Sequence, residues 1–182
     1  MGVLDDITSH LYAYKVKNRL SKHKVIRKTV PLDQAKHIGI LFNADRPENI
    51  VLINRFAEQL KEGNRKIDLL GFINRKSTES GETAVSNFKW FDKKGVNWYG
   101  VPTAKEGLDF INTKFDILIN GWLEPTRPLE YISTFSQASW RISPHFEGKD
   151  ELAEFQISLK EGKQDLNHYF DQVDHFVRTI SN

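Results

Sequence analysis

The sequence predicts an α/β protein: a three-layer sandwich around a mostly parallel sheet of about five or six strands, preceded by a basic N-terminal helix. Three observations predict it. Phe115-Asp116-Ile117-Leu118-Ile119 is almost wholly apolar and ends in Asn120-Gly121, as expected of a strand covered on both faces. Apolar runs of this kind alternate along the chain with stretches of helical period. Finally, His37–Phe42, a helix to about Glu62 and Lys66–Ile73 read as strand, helix, strand, a unit whose strands run parallel with a right-handed crossover.

Taken in order, Val3 to Lys24 has helical spacing, with Leu4, Ile7, Leu11 and Tyr14 on one face and Lys15, Arg19 and Lys22 on another. Asp5 and Asp6 at its start and cations at its end suit the helix dipole. The apolar stripe fades after Tyr14, so the second half is expected to leave the body. Val25–Val30 is basic and partly alternating, an edge strand or an extended linker. In the first strand, Gly39 admits a close neighbour. Asp45 is a candidate cap and Pro47 a first-turn residue for the next helix, which turns Ile50, Ile53, Phe56, Ala57 and Leu60 inward and stops near Gly63. Residues 74–87 form a polar surface loop. Phe88–Phe91 and Val96–Tyr99 pair as a hairpin, or one joins the sheet while the other is an aromatic loop. Lys105–Asn112 is a short helix and Phe115 opens the central strand. Pro128–Ala138 is a helix with Leu129, Ile132 and Phe135 inward. Trp140–Ser143 and Leu152–Leu159 are further strands, and Asp165–Ile180 is a closing amphipathic helix. The sum is a Rossmann-like domain over residues 37–182, behind a basic helical arm over residues 1–36.

Composition narrows the function classes. The 182 residues are 39% hydrophobic and 27% charged, ordinary for a globular protein. Twelve Phe, five Tyr and four Trp need a core, which argues against disorder. Cysteine is absent, so disulfides and Cys-based metal or redox sites are excluded. No apolar run approaches the roughly 20 residues of a membrane span, and no signal-peptide core is expected at the start. Net charge is +2, unevenly spread. Residues 1–37 hold eight Lys/Arg against three acids, or +5; the rest holds eighteen against twenty-one, or −3. Such asymmetry points to an arm with an anionic partner.

No established catalytic pattern is present. The turn after the first strand, Asn43-Ala44-Asp45-Arg46-Pro47-Glu48, has no glycine-rich phosphate signature, although its helix start can attract an anion with Arg46 assisting. The six histidines show no metal spacing, and there is no nucleophile elbow. Neither a metal nor a cofactor is expected. Asp116 reads as a cap at a strand start rather than a base. Polar residues at the carboxyl ends of strands form the best pocket set: Asn43, Asp45, Arg46, Asn120, Trp122, Glu124, Arg127 and His145, with Asn74, Arg75 and Ser143 beside them. Such a ring fits a nucleotide or sugar phosphate, yet any α/β domain carries polar loops there. The arm offers Lys15, Lys17, Arg19, Lys22, Lys24, Arg27 and Lys28 for phosphates, with Tyr12 and Tyr14 to stack on bases or to sit among lipid headgroups. Alternatively, it is a solvated face on a helix packed through its Leu/Ile stripe.

Ile38–Phe42, Asn97-Trp98-Tyr99-Gly100-Val101-Pro102 and Phe115–Asn120 together resemble an uncharacterised bacterial family of small α/β proteins. The resemblance spans most of the chain and implies the architecture and a cytoplasmic location, but it transfers no catalytic residue; a place at the periphery of the inner membrane is a separate expectation that the basic arm leaves open. Phe115–Asn120 and Ser136-Gln137-Ala138-Ser139-Trp140-Arg141-Ile142 also resemble, more weakly, the acceptor-side, N-terminal half of heptosyltransferase-type glycosyltransferases, without their nucleotide-sugar domain. Taken together, the expectation is a non-catalytic adaptor that binds an anionic macromolecule, RNA or a ribonucleoprotein before a membrane surface, through its arm. A small-molecule or enzymatic site beside the central strand is the alternative. A subunit role in a membrane-associated complex, with Trp90, Trp98 and Tyr99 as the contact, is a third.

Overall fold

The structure, a computed structural model, describes residues 3–75, 88–160, 162 and 165–180. The side chains of Leu4 and Asp5, and residues 76–87 of the polar loop, lie outside the description. In chain order the elements are α1 (Val3–Leu20), β1 (His37–Asn43), α2 (Pro47–Leu60), β2 (Lys66–Ile73), β3 (Lys89–Asp92), α3 (Lys105–Asn112), β4 (Ile117–Gly121), α4 (Arg127–Phe135), β5 (Trp140–Pro144), β6 (Phe155–Ile157) and α5 (Leu166–Thr179). The six strands lie in the order β3-β2-β1-β4-β5-β6, and every pairing is parallel. This is a Rossmann-like α/β fold with β4 at the centre of the sheet, buried along its whole length.

Alternation along the strands divides the core in two. Ile38, Ile40 and Phe42 of β1 and Ile117 and Ile119 of β4 face α2 and α5, where Ile53, Phe56, Leu60, Phe170, Val173 and Val177 meet them. Leu41 and Leu118 face the other way, onto Phe110 and Ile111 of α3 and Leu129, Ile132 and Phe135 of α4. Gly39 belongs to that second face, and its missing side chain is functional packing space: a Cβ there would sit 2.9 Å from the ring of Phe115. Asp116, on the strand's approach, accepts hydrogen bonds from the backbone N–H of Lys36 and His37, tying β1 and β4 together at their starts.

Three local readings are corrected or decided by the structure. Asp45 does not cap α2; Arg46 is the N-cap residue and offers no side-chain bond, while Asp45 accepts from the N–H of Asn74 at 2.7 Å. Of the two readings open for the aromatic segment, the alternative to a hairpin holds: Phe88–Phe91 and Val96–Tyr99 do not pair. The first supplies β3, and the second closes a small loop through a bridge between Val96 and Pro102.

The third correction concerns the arm. The Ile7–Leu11–Tyr14 stripe is not the inward face of α1: Ile7 is 46% and Tyr14 64% exposed. The helix packs instead through Tyr12 and Val16, which meet the α3/α4 core, and through Arg19. Aromatic rings explain the choice. The Arg19 guanidinium lies 5.1 Å from the ring centre of Tyr131 and 4.5 Å from that of Phe135, and donates to the Tyr131 hydroxyl at 2.6 Å. The second half of α1 therefore stays on the body. Beyond it, after a turn at Ser21 and Lys22, residues 23–30 run as a strap without helix or strand structure outside the sheet, held by the Lys28 N–H donating to the Ser139 carbonyl. Burial alternates along the strap, with His23, Val25 and Arg27 inward and Lys24, Ile26 and Lys28 outward. Val30, Leu32 and Ala35 then enter the core.

Candidate functional site

The chain leaves β1 towards one face of the sheet, through α2, and leaves β4 towards the other, through α4. The two strands are neighbours, so the gap above their carboxyl ends is the topological switch point, where ligands of open α/β sheets bind. A cleft of ≈ 600 Å³ opens there, walled by Asn43, Asp45, Arg46, Asn49, Trp122 and Glu124 from the two strand ends and by Asp165 and Asn167 from the start of α5. Several of these groups shape the loop itself. Asn43 Oδ1 accepts from the Asp45 N–H at 2.8 Å, and Asn49 donates to the Asn43 carbonyl at 3.3 Å. Asp165 caps α5 by accepting from the His168 N–H at 2.8 Å. The lining as a whole mixes one cation and three acids with amides and three leucines, a surface suited to holding a polar molecule by hydrogen bonds.

Of the pocket residues expected from sequence, Asn43, Asp45, Arg46, Trp122 and Glu124 come together in this cleft, and Asn120, Arg127 and His145 do not. Asn120 is fully buried on the α4 side, donating to Ser133 Oγ at 2.7 Å, and that hydroxyl donates to the Leu152 carbonyl at 2.8 Å. Arg127 serves α1, donating to the hydroxyls of Thr8 and Ser9 at 3.1 and 2.7 Å and lying over the Tyr12 ring. His145 pairs with Gln156 at 3.1 Å and borders a separate groove with Leu123, Phe146 and Ile157. Asn49, Asp165 and Asn167 were missed; Asn49 comes from the first turn of α2, and only the folding of α5 over the β1 end brings in Asp165 and Asn167.

The basic segment divides by role. Tyr12 donates its hydroxyl to the Arg127 carbonyl, and burial raises its phenol well above the ordinary range. Arg27 donates to the Ala138 carbonyl and approaches Glu154 at 3.5 Å. Burial and then the nearby charge of Arg141 lower its pKa to about 10. Arg141, a buried cation that the strand pattern conceals, donates to the carbonyls of Ser133, Thr134 and Glu151 and pairs with Glu154 at 2.6 Å. Burial alone would raise the Glu154 pKa, but the hydrogen bonds and charge of Arg141, with the charge of Arg27, hold it below the usual carboxylate range. By contrast, Lys15, Lys17, Lys22, Lys24 and Lys28 are all exposed. None of their ammonium groups has a hydrogen-bond or ion-pair partner among the described residues. Trp98 is 66% exposed in the small loop, with Tyr99 and Trp90 half-buried nearby in sequence.

The all-parallel sheet, the cleft at its switch point and the docked basic helix define a Rossmann-like α/β domain with two candidate binding surfaces. Residues 9–180 match the model of a family of unknown function, DUF6913, and the chain belongs to that family. No curated protein and no solved structure matches it, so the heptosyltransferase likeness gains nothing from these comparisons. No group of three metal-ligating side chains is gathered among the described residues, and no described helix is long and apolar enough to cross a membrane.

Proposed function

We propose that this protein is a non-catalytic adaptor that engages a polyanionic macromolecular partner through the exposed lysines of α1 and the strap. One observation carries the reading: five lysines within fourteen positions stand exposed and unpaired, while Tyr12, Arg19 and Arg27 fasten the same segment to the body. Clustered ammonium groups need no further chemistry to hold phosphates, whether those of RNA or those of lipid headgroups. A rigidly docked support lets the cations bind without ordering a flexible arm, which lowers the entropic cost of association. The test is binding of single-stranded RNA and of anionic vesicles at low and high salt, for the wild type and for Lys15→Glu, Lys17→Glu, Lys22→Glu and Lys24→Glu combined. The wild type should bind at least one of them with strong salt dependence, and the charge-reversed chain should lose that binding. Equal binding by both chains, or binding indifferent to salt, sinks the reading.

The position of the cleft at the switch point favours a second reading, a small polar ligand such as a nucleotide or sugar phosphate held near Arg46 and the uncapped start of α2. A ligand at 100 times its dissociation constant raises stability by about 2.7 kcal/mol, well within reach of a thermal-shift screen. A screen of nucleotides and sugar phosphates that moves nothing removes this reading.

A further inference from the structure

We infer that the polyanion is a bilayer surface rich in anionic lipid, contacted jointly by the outward faces of α1 and the strap. The inference rests on the lysine reading above and adds the class of partner. It comes from what stands between the lysines. Ile26 is 91% exposed, in the outward row Lys24-Ile26-Lys28 of the alternating strap. On α1, Ile7, the half-exposed Leu11 and Tyr14 follow one another at i, i+4 and i+7, on the face opposite the docked Tyr12, Val16 and Arg19. Lys15 borders that stripe one turn beyond Leu11, and Lys22 follows in the turn that ends α1.

A nucleic-acid backbone gives an exposed isoleucine little to bind, because it presents charge and sugar edges. Base stacking would need a succession of aromatic rings, whereas this face shows one, Tyr14. A bilayer interface rewards the whole set. Isoleucine and leucine bury in the acyl boundary, and tyrosine sits among the headgroups. Lysine lays its methylenes along the apolar surface and keeps its ammonium against the anionic headgroups. The geometry allows both faces to meet one plane. Arg19 and His23 seat on the ring of Phe135, and Arg27 on the carbonyl of Ala138 just beyond, so both outward faces look away from α4 and the turn that follows it. Contact of this kind is peripheral and reversible, since a short apolar stripe and a basic patch supply two weak signals rather than a span.

Three forms of the full chain test it: wild type, the charge-reversed lysine variant, and an apolar variant carrying Ile7→Ser, Tyr14→Ser and Ile26→Ser. These side chains are exposed, so the apolar variant should melt as the wild type does. Each is measured for co-sedimentation with phosphatidylcholine vesicles, with and without about a quarter phosphatidylserine, and for retention of single-stranded RNA. The expected result is binding to the phosphatidylserine vesicles alone, lost on charge reversal and reduced roughly tenfold or more in the apolar variant. If the apolar variant binds vesicles like the wild type, or RNA is retained equally by wild type and apolar variant, the lipid inference falls and the lysine reading stands. If charge reversal changes nothing, both fall together.

Discussion

Arg141 is the second residue of an all-buried strand, and its guanidinium meets three carbonyls and one carboxylate. Two of those carbonyls, of Ser133 and Thr134, lie in the last turn of α4, where a helix end leaves carbonyls short of helical partners. Removing the cation leaves Glu154 with Arg27 as its remaining cation at 3.5 Å and reopens that helix end, so Arg141→Ala should cost about 3 kcal/mol. Urea unfolding with a lower midpoint at unchanged slope is the expected reading. Arg141→Lys should not restore it, because a single ammonium cannot reach the same set of acceptors. Gly39 makes a second case. Gly39→Ala places a Cβ against the Phe115 ring and should cost roughly 1–3 kcal/mol. Phe115→Leu should recover part of the loss in the double variant, and a double variant no better than Gly39→Ala alone would show that the clash lies elsewhere. The two residues differ in how far sequence reaches them. A glycine inside an apolar strand announces a close neighbour by its type. Arg141 shows only a charge in an unlikely place, because its acceptors lie 7 to 13 residues away and meet it only in the folded chain.

At the scale of elements, strands and helices with an aliphatic pattern were legible to within a few residues, since burial on the sheet is what the pattern encodes. α3 falls on its expected residues, Lys105–Asn112. The orientation of α1 was not legible, for a physical reason. Its inward face is built from Tyr12, Val16 and Arg19, and the attraction of a guanidinium for Tyr131 and Phe135 outweighs the burial that Ile7 and Tyr14 would gain. The same blindness hid the fate of Asn120 and Arg127, since sequence shows that a strand ends but not which face a polar side chain takes. Docking of the strap carries a pH dependence. His23, on the strap, packs edge-on against Phe135, facing Arg19 at the end of α1, Arg27 on the strap and Arg141 on β5, with Glu154 beyond the arginines. Burial, then the charges of Arg27, Arg19 and Arg141, lower its pKa below the ordinary 6.5. The folded state therefore favours neutral imidazole. Its contribution to stability is whole above the unfolded pKa and is lost as pH falls from there through the folded value. Glu154, also lowered, adds a loss of the same sign at more acid pH. His23→Leu should remove the first part: its melting temperature and that of the wild type should run parallel above about pH 6.5 and diverge below it, the wild type falling faster. Curves that stay parallel through the acid range would show that His23 does not titrate in this contact.

For the molecule as a whole, the sheet carries two cores, while α1 and the strap are attached from outside by rings, guanidinium groups and a few hydrogen bonds. Attachments of that kind break at lower free energy than a central strand does, so the segment should open as a unit without unfolding the rest. Val30, Leu32 and Ala35 set the limit of this unit, because they belong to the core that α2 and α5 share with the sheet. Native-state hydrogen exchange should accordingly divide the amides at about residue 29. Those of α1 and the strap should exchange through a sub-global opening, and those of β1 and β4 only through global unfolding. Arg27→Ala together with Arg19→Ala should speed exchange in α1 and leave β4 unchanged. Equal protection across both groups would make the segment an integral part of the sheet domain. The experiment also bears on how the segment works. If lipid meets the outward faces of a docked helix, vesicles should slow exchange in α1 and the strap, since binding then favours the closed form. If binding instead requires the helix to leave the body, vesicles should accelerate exchange at the amides whose side chains hold the docked face, Tyr12, Val16 and Arg19.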